Sequence, residues 1–173
     1  MTPPIGETMM DMEAQLERLH AESFGWALSC CGGERARAED VLQSAYMRVI
    51  GGRAVYGGRS TFRTWLFGVI RRVAWEHNRR DRTEQRRTVR MEDSQLHQVA
   101  DPGASAAEVD ASRMLTAALA RLPERQREVL HLVFYQDMSI AEAAEIMGIS
   151  VGSARTHYER GKARLRVLLG ERE

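Results

Sequence analysis

SIAEAAEIMGISVGSARTHYERGKARLRVLL, residues 139–169, carries the punctuation of two consecutive helices. Ser139 is placed to cap a short first helix whose inner side holds Ala143, Ala144 and Met147. Gly148 breaks that helix, Ser150 caps a second, and the second runs on through Leu165 to Leu169. Two helices joined by about three residues, with Gly in the turn and small residues at the crossing, make a helix-turn-helix. Ala144, Gly148 and Ala154 are those small residues. The second helix bears Arg155, Arg160, Lys162, Arg164 and Arg166 against one acid, Glu159. A helix charged in this way fits the major groove of duplex DNA and holds phosphates on either side of it. The same stretch also reads as an ordinary helical hairpin with a solvated basic face.

Immediately upstream, Met114, Leu115, Ala118, Leu119 and Leu122 recur at helical spacing from residue 111. Pro123 ends that helix and opens the next, PERQREVLHLVFY, which carries Val129, Leu130, Leu132, Val133 and Phe134. The turn QDMS then leads into residue 139. Residues 91–110 hold five acids and no base, contain Pro-Gly and show no sustained amphipathic period. They read as an acidic flexible linker, with a short helix leading into the following domain.

The N-terminal half is helical too. The first helix is expected over 10–30, with Met12, Leu16, Leu19, Ser23, Ala27 and Cys30 on one face and Phe24 and Trp26 widening it. Gly32 and Gly33 end it. A second, over 37–50, turns Ala38, Val41, Leu42, Ala45 and Val49 inward and leaves Glu39, Asp40, Gln43 and Arg48 on or near the other face. After the loop GGRAVYGGRS, a third helix over 61–82 sets Phe62, Trp65, Leu66, Val69 and Val73 in the core and Arg71, Trp75 and Arg79 on the opposite side. A Trp between two arginines can stack on an unpaired base while the guanidiniums hold phosphate. Alternatively, Trp75 packs on another helix or on the linker.

With 173 residues, 43% hydrophobic content, four prolines and little strand-like alternation, the chain is expected to be all-α. The expected layout is an N-terminal domain over 10–90, the linker over 91–110 and a C-terminal domain over 111–170. Net charge is only +1, but residues 59–90 carry +7 beside the −5 of the linker. Two basic blocks flanking an acidic strip suit a protein that touches a polyanion at two places. No run approaches the roughly 18 apolar residues of a membrane span. The N-terminus lacks an export signal, so no membrane insertion and a cytoplasmic location are expected. Adjacent Cys30 and Cys31 read as small apolar residues at a helix end, with a redox or metal role as the other reading. His20, His77, His97, His131 and His157 are scattered, and no catalytic, phosphate-loop or metal motif is present. No enzyme activity, cofactor or metal is expected.

Three segments together carry a resemblance: AEDVLQSAYMRVI at 38–50, STFRTWLFGVIRRVAWEHNRR at 60–80, and LPERQREVLHLVFYQDMSIAEAAEIMGISVGSARTHYERGKARL at 122–165. In this order they resemble the extracytoplasmic-function (group 4) sigma factors of the sigma-70 family, small two-domain subunits that direct bacterial RNA polymerase to promoters. The resemblance implies a region 2-like bundle and a region 4-like helix-turn-helix. It further implies core polymerase as partner, through the coiled coil of its largest subunit and its flap, together with promoter DNA and an anti-sigma factor.

The family's roles carry over residue by residue. The AED-x-x-Q helix implies core binding by Glu39, Asp40 and Gln43, which spacing also places on one acidic, amide-bearing surface. The third helix and the loop before it correspond to the part that melts the downstream promoter element, implying Arg59, Arg71, Arg72, Trp75, Arg79 and Arg80 there. The family usually has Asn in place of Arg72 and Asp in place of Glu76. Arg only donates hydrogen bonds, so downstream base preference departs from the family while affinity for the backbone survives. The acidic linker corresponds to the family's segment in the polymerase nucleic-acid channel, although a solvated tether has the same composition.

On the helix-turn-helix, the implied upstream contacts are Ser150, Gly152, Arg155, Thr156, Glu159, Arg160 and Lys162. Glu159 stands where relatives often carry an aromatic or basic residue. It either accepts from cytosine N4 or orients Arg155 or Arg160. The expected function is thus promoter-specific initiation, for a stress or envelope-response regulon. Two alternatives use no polymerase: a helix-turn-helix regulator with a sensory N-terminal domain, or a sigma-like adaptor that sequesters an inhibitor. A ligand pocket would mark the first, which leaves the +7 block with its Trp unexplained, and the second would not need the Arg-rich recognition helix.

Overall fold

The computed structural model describes residues 5–85 and 105–170, and among them all regular structure is helical. The chain divides into two units, Met1–Ser94 and Gln95–Glu173. The first contains α1 (Ile5–Arg18), α2 (His20–Cys30), α3 (Arg35–Ile50) and α4 (Phe62–Gln85). The second contains α5 (Ala106–Ala120), α6 (Glu124–Leu130), a π-helical turn (His131–Tyr135), α7 (Ile140–Met147) and α8 (Val151–Leu169).

In the first unit, α2, α3 and α4 pack pairwise and α1 lies on α2 and α3. The expected α3 core, Ala38, Val41, Leu42, Ala45 and Val49, is buried. The centre is Trp26, fully buried and stacked on Phe67 with ring centroids 6.1 Å apart and planes 8° off parallel. Its indole Nε1 donates to the Phe67 carbonyl at 3.0 Å, so the one polar atom of the ring is satisfied inside the core. On α4 the buried stripe is wider than the expected one, adding Thr64, Phe67, Ile70 and Ala74. Trp65 is only half-buried, because it shares a surface aromatic cluster with Tyr56 and Phe62.

Three cross-helix ion pairs fasten the bundle: Arg63 with Glu22 at 2.6 Å, Arg48 with Glu76 at 2.5 Å, and Arg37 with Asp81. The single helix expected over 10–30 is broken at Leu19, whose φ of −92° and ψ of 3° turn the chain between α1 and α2. At the far end Gly32 takes φ +66°, in the left-handed region that closes the helix. Cys31 is buried behind it, and burial pushes its thiol pKa up to about 11.

In the second unit, Ser139 accepts from the Glu142 amide while the Glu142 carboxylate accepts from the Ser139 amide, a complete capping box. Gly148 takes φ +63°, and the Ile149 amide bonds the Ala144 carbonyl at 3.0 Å. Arg125 of α6 donates to the Met147 carbonyl at 3.2 Å, tying the end of α7 to the helix behind it. Ala143, Ala144, Ile146, Met147 and Ala154 are buried, as close crossing of α7 and α8 requires.

Two expectations shift here. A second capping box, Ser105 with Glu108, starts α5 at Ala106, so 106–110 of the acidic strip is helix rather than linker. The remainder of that strip, 91–104, lies outside the described residues. The helix expected to run straight through residue 135 is α-helical only to Leu130 and then widens into the π turn. The widening keeps Leu132 buried and leaves Phe134 and Tyr135 exposed.

His131 opens that turn, stacked on Tyr135 and 3.2 Å from Gln136 Nε2, and burial pushes its pKa down to about 4. The unfolded chain takes this proton near pH 6.5, so between pH 6.5 and 4 the unfolded state gains protons first and stability falls with pH. The loss reaches about 3 kcal/mol at the bottom of that window and is absent above it. Urea unfolding should therefore show wild type losing more stability than His131→Gln between pH 7 and pH 4.5, the other groups titrating alike in both. Asp137 sits at φ +49°, so Asp137→Gly is expected to raise the urea midpoint by relieving about 0.5–1 kcal/mol of strain.

Candidate nucleic-acid interface

Helix α8 presents two distinct faces. Ala154 and Gly161 are buried toward α6 and α7, with Tyr158, Leu165, Leu168 and Leu169 half-buried beside them. At Gly161 the helices approach so closely that an added Cβ would lie 3.1 Å from Leu130 Cδ1. The opposite face carries Gly152, Arg155, Thr156, Glu159 and Arg160, all exposed, with Arg164 and Arg166 further along. Expected contacts 152, 155, 156, 159 and 160 therefore share one surface.

Four of the expected contacts, Ser150, Thr156, Glu159 and Lys162, already have partners on α8 itself. Ser150 is exposed, but its Oγ accepts from the Ser153 amide at 3.1 Å and donates to Ser153 Oγ at 2.9 Å, so its hydroxyl serves the N-cap. Thr156 Oγ1 donates to the Gly152 carbonyl at 3.0 Å. Glu159 pairs with neither Arg155 nor Arg160 but with Lys162, at 3.1 Å. The reason is lateral: Lys162 is drawn to the side of the helix, its Nζ 4.5 Å from the centroid of the Tyr158 ring. Tyr158 in turn stacks on Phe134 of the π turn at 5.9 Å.

In the first unit the outer face of α4 is built as spacing predicts. Trp75 is 54% exposed in a helix otherwise anchored by fully buried Leu66, Ile70 and Val73. The Arg79 guanidinium lies over the Trp75 ring, 5.5 Å from its centroid, a cation–π contact. Arg72 and Arg80 are exposed, Arg71 is half-buried, and Arg59 is exposed in the preceding loop. Glu76 is no free acid on this face. Arg48 of α3 grips both its oxygens, at 3.2 and 2.5 Å, and holds its carboxyl below the usual range, with Arg80 and Arg72 adding to the effect. The surface seen by a polyanion is thus basic and aromatic, its acid neutralised from behind.

On α3, Glu39, Asp40 and Gln43 are exposed, and Glu39 is bonded to Arg35 at 2.9 Å. Met47 and Ile50 are exposed on the same helix. Positions 40, 43, 47 and 50 form a single stripe, so the polar surface continues into an apolar one. Sequence reasoning missed these two residues. Their signal was present, since neither fits the buried set at 38, 41, 42, 45 and 49.

Residues 16–84 match Sigma-70 region 2, and residues 112–165 match Sigma-70, region 4. The extracytoplasmic-function sigma factor SigX of Bacillus subtilis is 32% identical over 137 residues, spanning 77% of this chain and 71% of that protein. The chain belongs to the extracytoplasmic-function sigma factors. The sigma factor CarQ of Myxococcus xanthus is 34% identical over 140 residues, 80% of this chain and 78% of its own.

Among solved structures, RpoE of Bartonella quintana, crystallised with the anti-sigma factor NepR, has the same fold: TM-score 0.78 and 24% identity, over 94% of this sigma factor and 99% of that chain. CnrH, in complex with the cytosolic domain of CnrY, gives a TM-score of 0.63 at 22% identity, over 92% and 88%. The α3 stripe and the α4 face of this sigma factor lie within its region 2, and the α8 face within its region 4.

The two tryptophans at 26 and 75 differ in kind, and unfolding separates them. Trp26→Ala should cost about 3–5 kcal/mol as a core truncation. Trp75→Ala should stay within about 0.5 kcal/mol of wild type. Urea titrations of the full chain measure both.

Proposed function

We propose that this sigma factor binds core polymerase through the α3 stripe and reads promoters at two places, upstream with α8 and downstream with the outer face of α4. The observation that carries the reading is the Trp75–Arg79 contact: an exposed indole beneath a guanidinium on a basic helix. An exposed Trp flanked by arginines is a platform on which an unpaired base can stack while the guanidiniums hold its phosphates. Such stacking contributes about 1–3 kcal/mol per base and favours strand separation by stabilising the unpaired state. The basic helix-turn-helix supplies duplex affinity that does not depend on melting. Two modules on one chain then act at each other's effective concentration, so each site strengthens the other.

Residues 40, 43, 47 and 50 combine acceptors, an amide and apolar area, the chemistry of a surface that takes an arginine-bearing coiled coil. The working partners are core polymerase, through its largest-subunit coiled coil and its flap, and promoter DNA. An anti-sigma factor joins them by the likeness to RpoE, crystallised with the anti-sigma factor NepR. A group 4 assignment, a stress or envelope-response regulon and a cytoplasmic location complete the proposal. No described helix is long and apolar enough to cross a membrane.

Mixing the purified chain with bacterial core polymerase and a promoter library tests the proposal. Start-specific transcripts that depend on the chain are expected. Asp40→Ala with Gln43→Ala should lower the affinity for core at least severalfold, and Trp75→Ala should impair strand opening while sparing core binding. If no holoenzyme forms, the proposal fails.

A further inference from the structure

The recognition helix contains an acid where acids are least welcome. Glu159 is the only carboxylate on α8, among five cations, and its side chain is 60% exposed on the face shared by Arg155 and Arg160. Brought into a groove lined by phosphates, a carboxylate is repelled from both sides and loses water. It is tolerated there at little cost only if it finds a donor. The donors on major-groove base edges are the exocyclic amines, cytosine N4 and adenine N6. Guanine O6 and N7 and thymine O4 are acceptors that would face it with lone pairs.

The surrounding geometry holds this acid in place instead of leaving it to swing. Lys162 Nζ is 3.1 Å from Glu159 Oε2. Lys162 is itself restrained: its side chain is only 26% exposed and its ammonium sits over the Tyr158 ring, which rests on Phe134. The ladder Phe134–Tyr158–Lys162–Glu159 thus runs from the π turn to the groove-facing surface. One carboxylate oxygen takes the lysine, and the other keeps its lone pairs.

We infer that Glu159 is the base-reading acceptor of α8, selecting cytosine, and that Lys162 is its positioning residue and not a phosphate contact. This deepens the proposed function and rests on its upstream-reading role. Lysine partly cancels the carboxylate's repulsion from phosphate and fixes the direction of its free oxygen. The arginines of α8 read guanine or hold phosphate, and the pair supplies the complementary acceptor. Discrimination at this position follows the order C, then A, with G and T disfavoured.

The test uses the full chain assembled with core polymerase on duplex templates randomised over the upstream element, with active templates sequenced from their transcripts. Wild type should enrich one position for cytosine by about fivefold or more over guanine and thymine. Glu159→Gln, which offers a donor beside its acceptor, should move that position toward adenine and leave the others in place. Lys162→Met, which keeps the stem, should flatten the same position and no other. The inference is overturned if Glu159→Gln leaves the enriched element unchanged, or if Lys162→Met weakens all templates alike, as loss of a phosphate contact would. Failure of the parent reading looks different: wild type itself then enriches no upstream element.

Discussion

Helix α8 lies against α6 with nothing but hydrogen at the point of contact. A side chain at position 161 would meet Leu130 and Gln126 at van der Waals limits or closer, so the approach is possible because that residue is Gly. The rotation of α8 about its own axis follows from this. With 154 and 161 turned inward, 152, 155, 156, 159 and 160 have no choice but to face out. The end of α7 is fixed by the Arg125 bond to the Met147 carbonyl, so the turn between the two helices is held from both sides. A recognition surface needs rigid support more than it needs many contacts.

The first unit solves the same problem with an aromatic ring. Trp26 fills the centre of the bundle and bonds the Phe67 carbonyl in the second turn of α4. That contact sets which side of α4 is inside. Phe67, Ile70 and Ala74 turn in, and Trp75, one residue on, must turn out. The two tryptophans are coupled through the register of one helix, and the buried one decides where the exposed one points.

Much of this was legible from residue types. Ser139, Gly148 and Ser150 mark helix ends by local chemistry, and local chemistry survives folding. The Arg71–Trp75–Arg79 face followed from periodicity, which needs no tertiary information. The Ser105–Glu108 box was equally local but was masked by the acidic run around it. Other features had no local signal. Nothing at Leu19 marks a break, because the chain turns there without Gly or Pro. The π turn at 131–135 has the composition of an ordinary amphipathic helix, and the extra residue is accommodated by packing that sequence does not display. Glu159 was recognisable as out of place, but its partner was not, since choosing Lys162 over Arg160 depends on the Tyr158 ring of the same helix, whose position is set by Phe134 of the π turn. Surface pairings of this kind are settled by small energies and by neighbours distant in sequence.

One buried group bears on what kinds of signal the protein can sense. Cys31 closes α2 from inside the core, and its thiol, pushed up to about 11, is almost wholly protonated at neutral pH. Peroxides and disulfides react with thiolates, so this sulfur is chemically quiet however oxidising its surroundings become. Oxidation of this helix end would therefore begin at a sulfur other than Cys31, whose neighbour Cys30 is a thiol that is only half-buried.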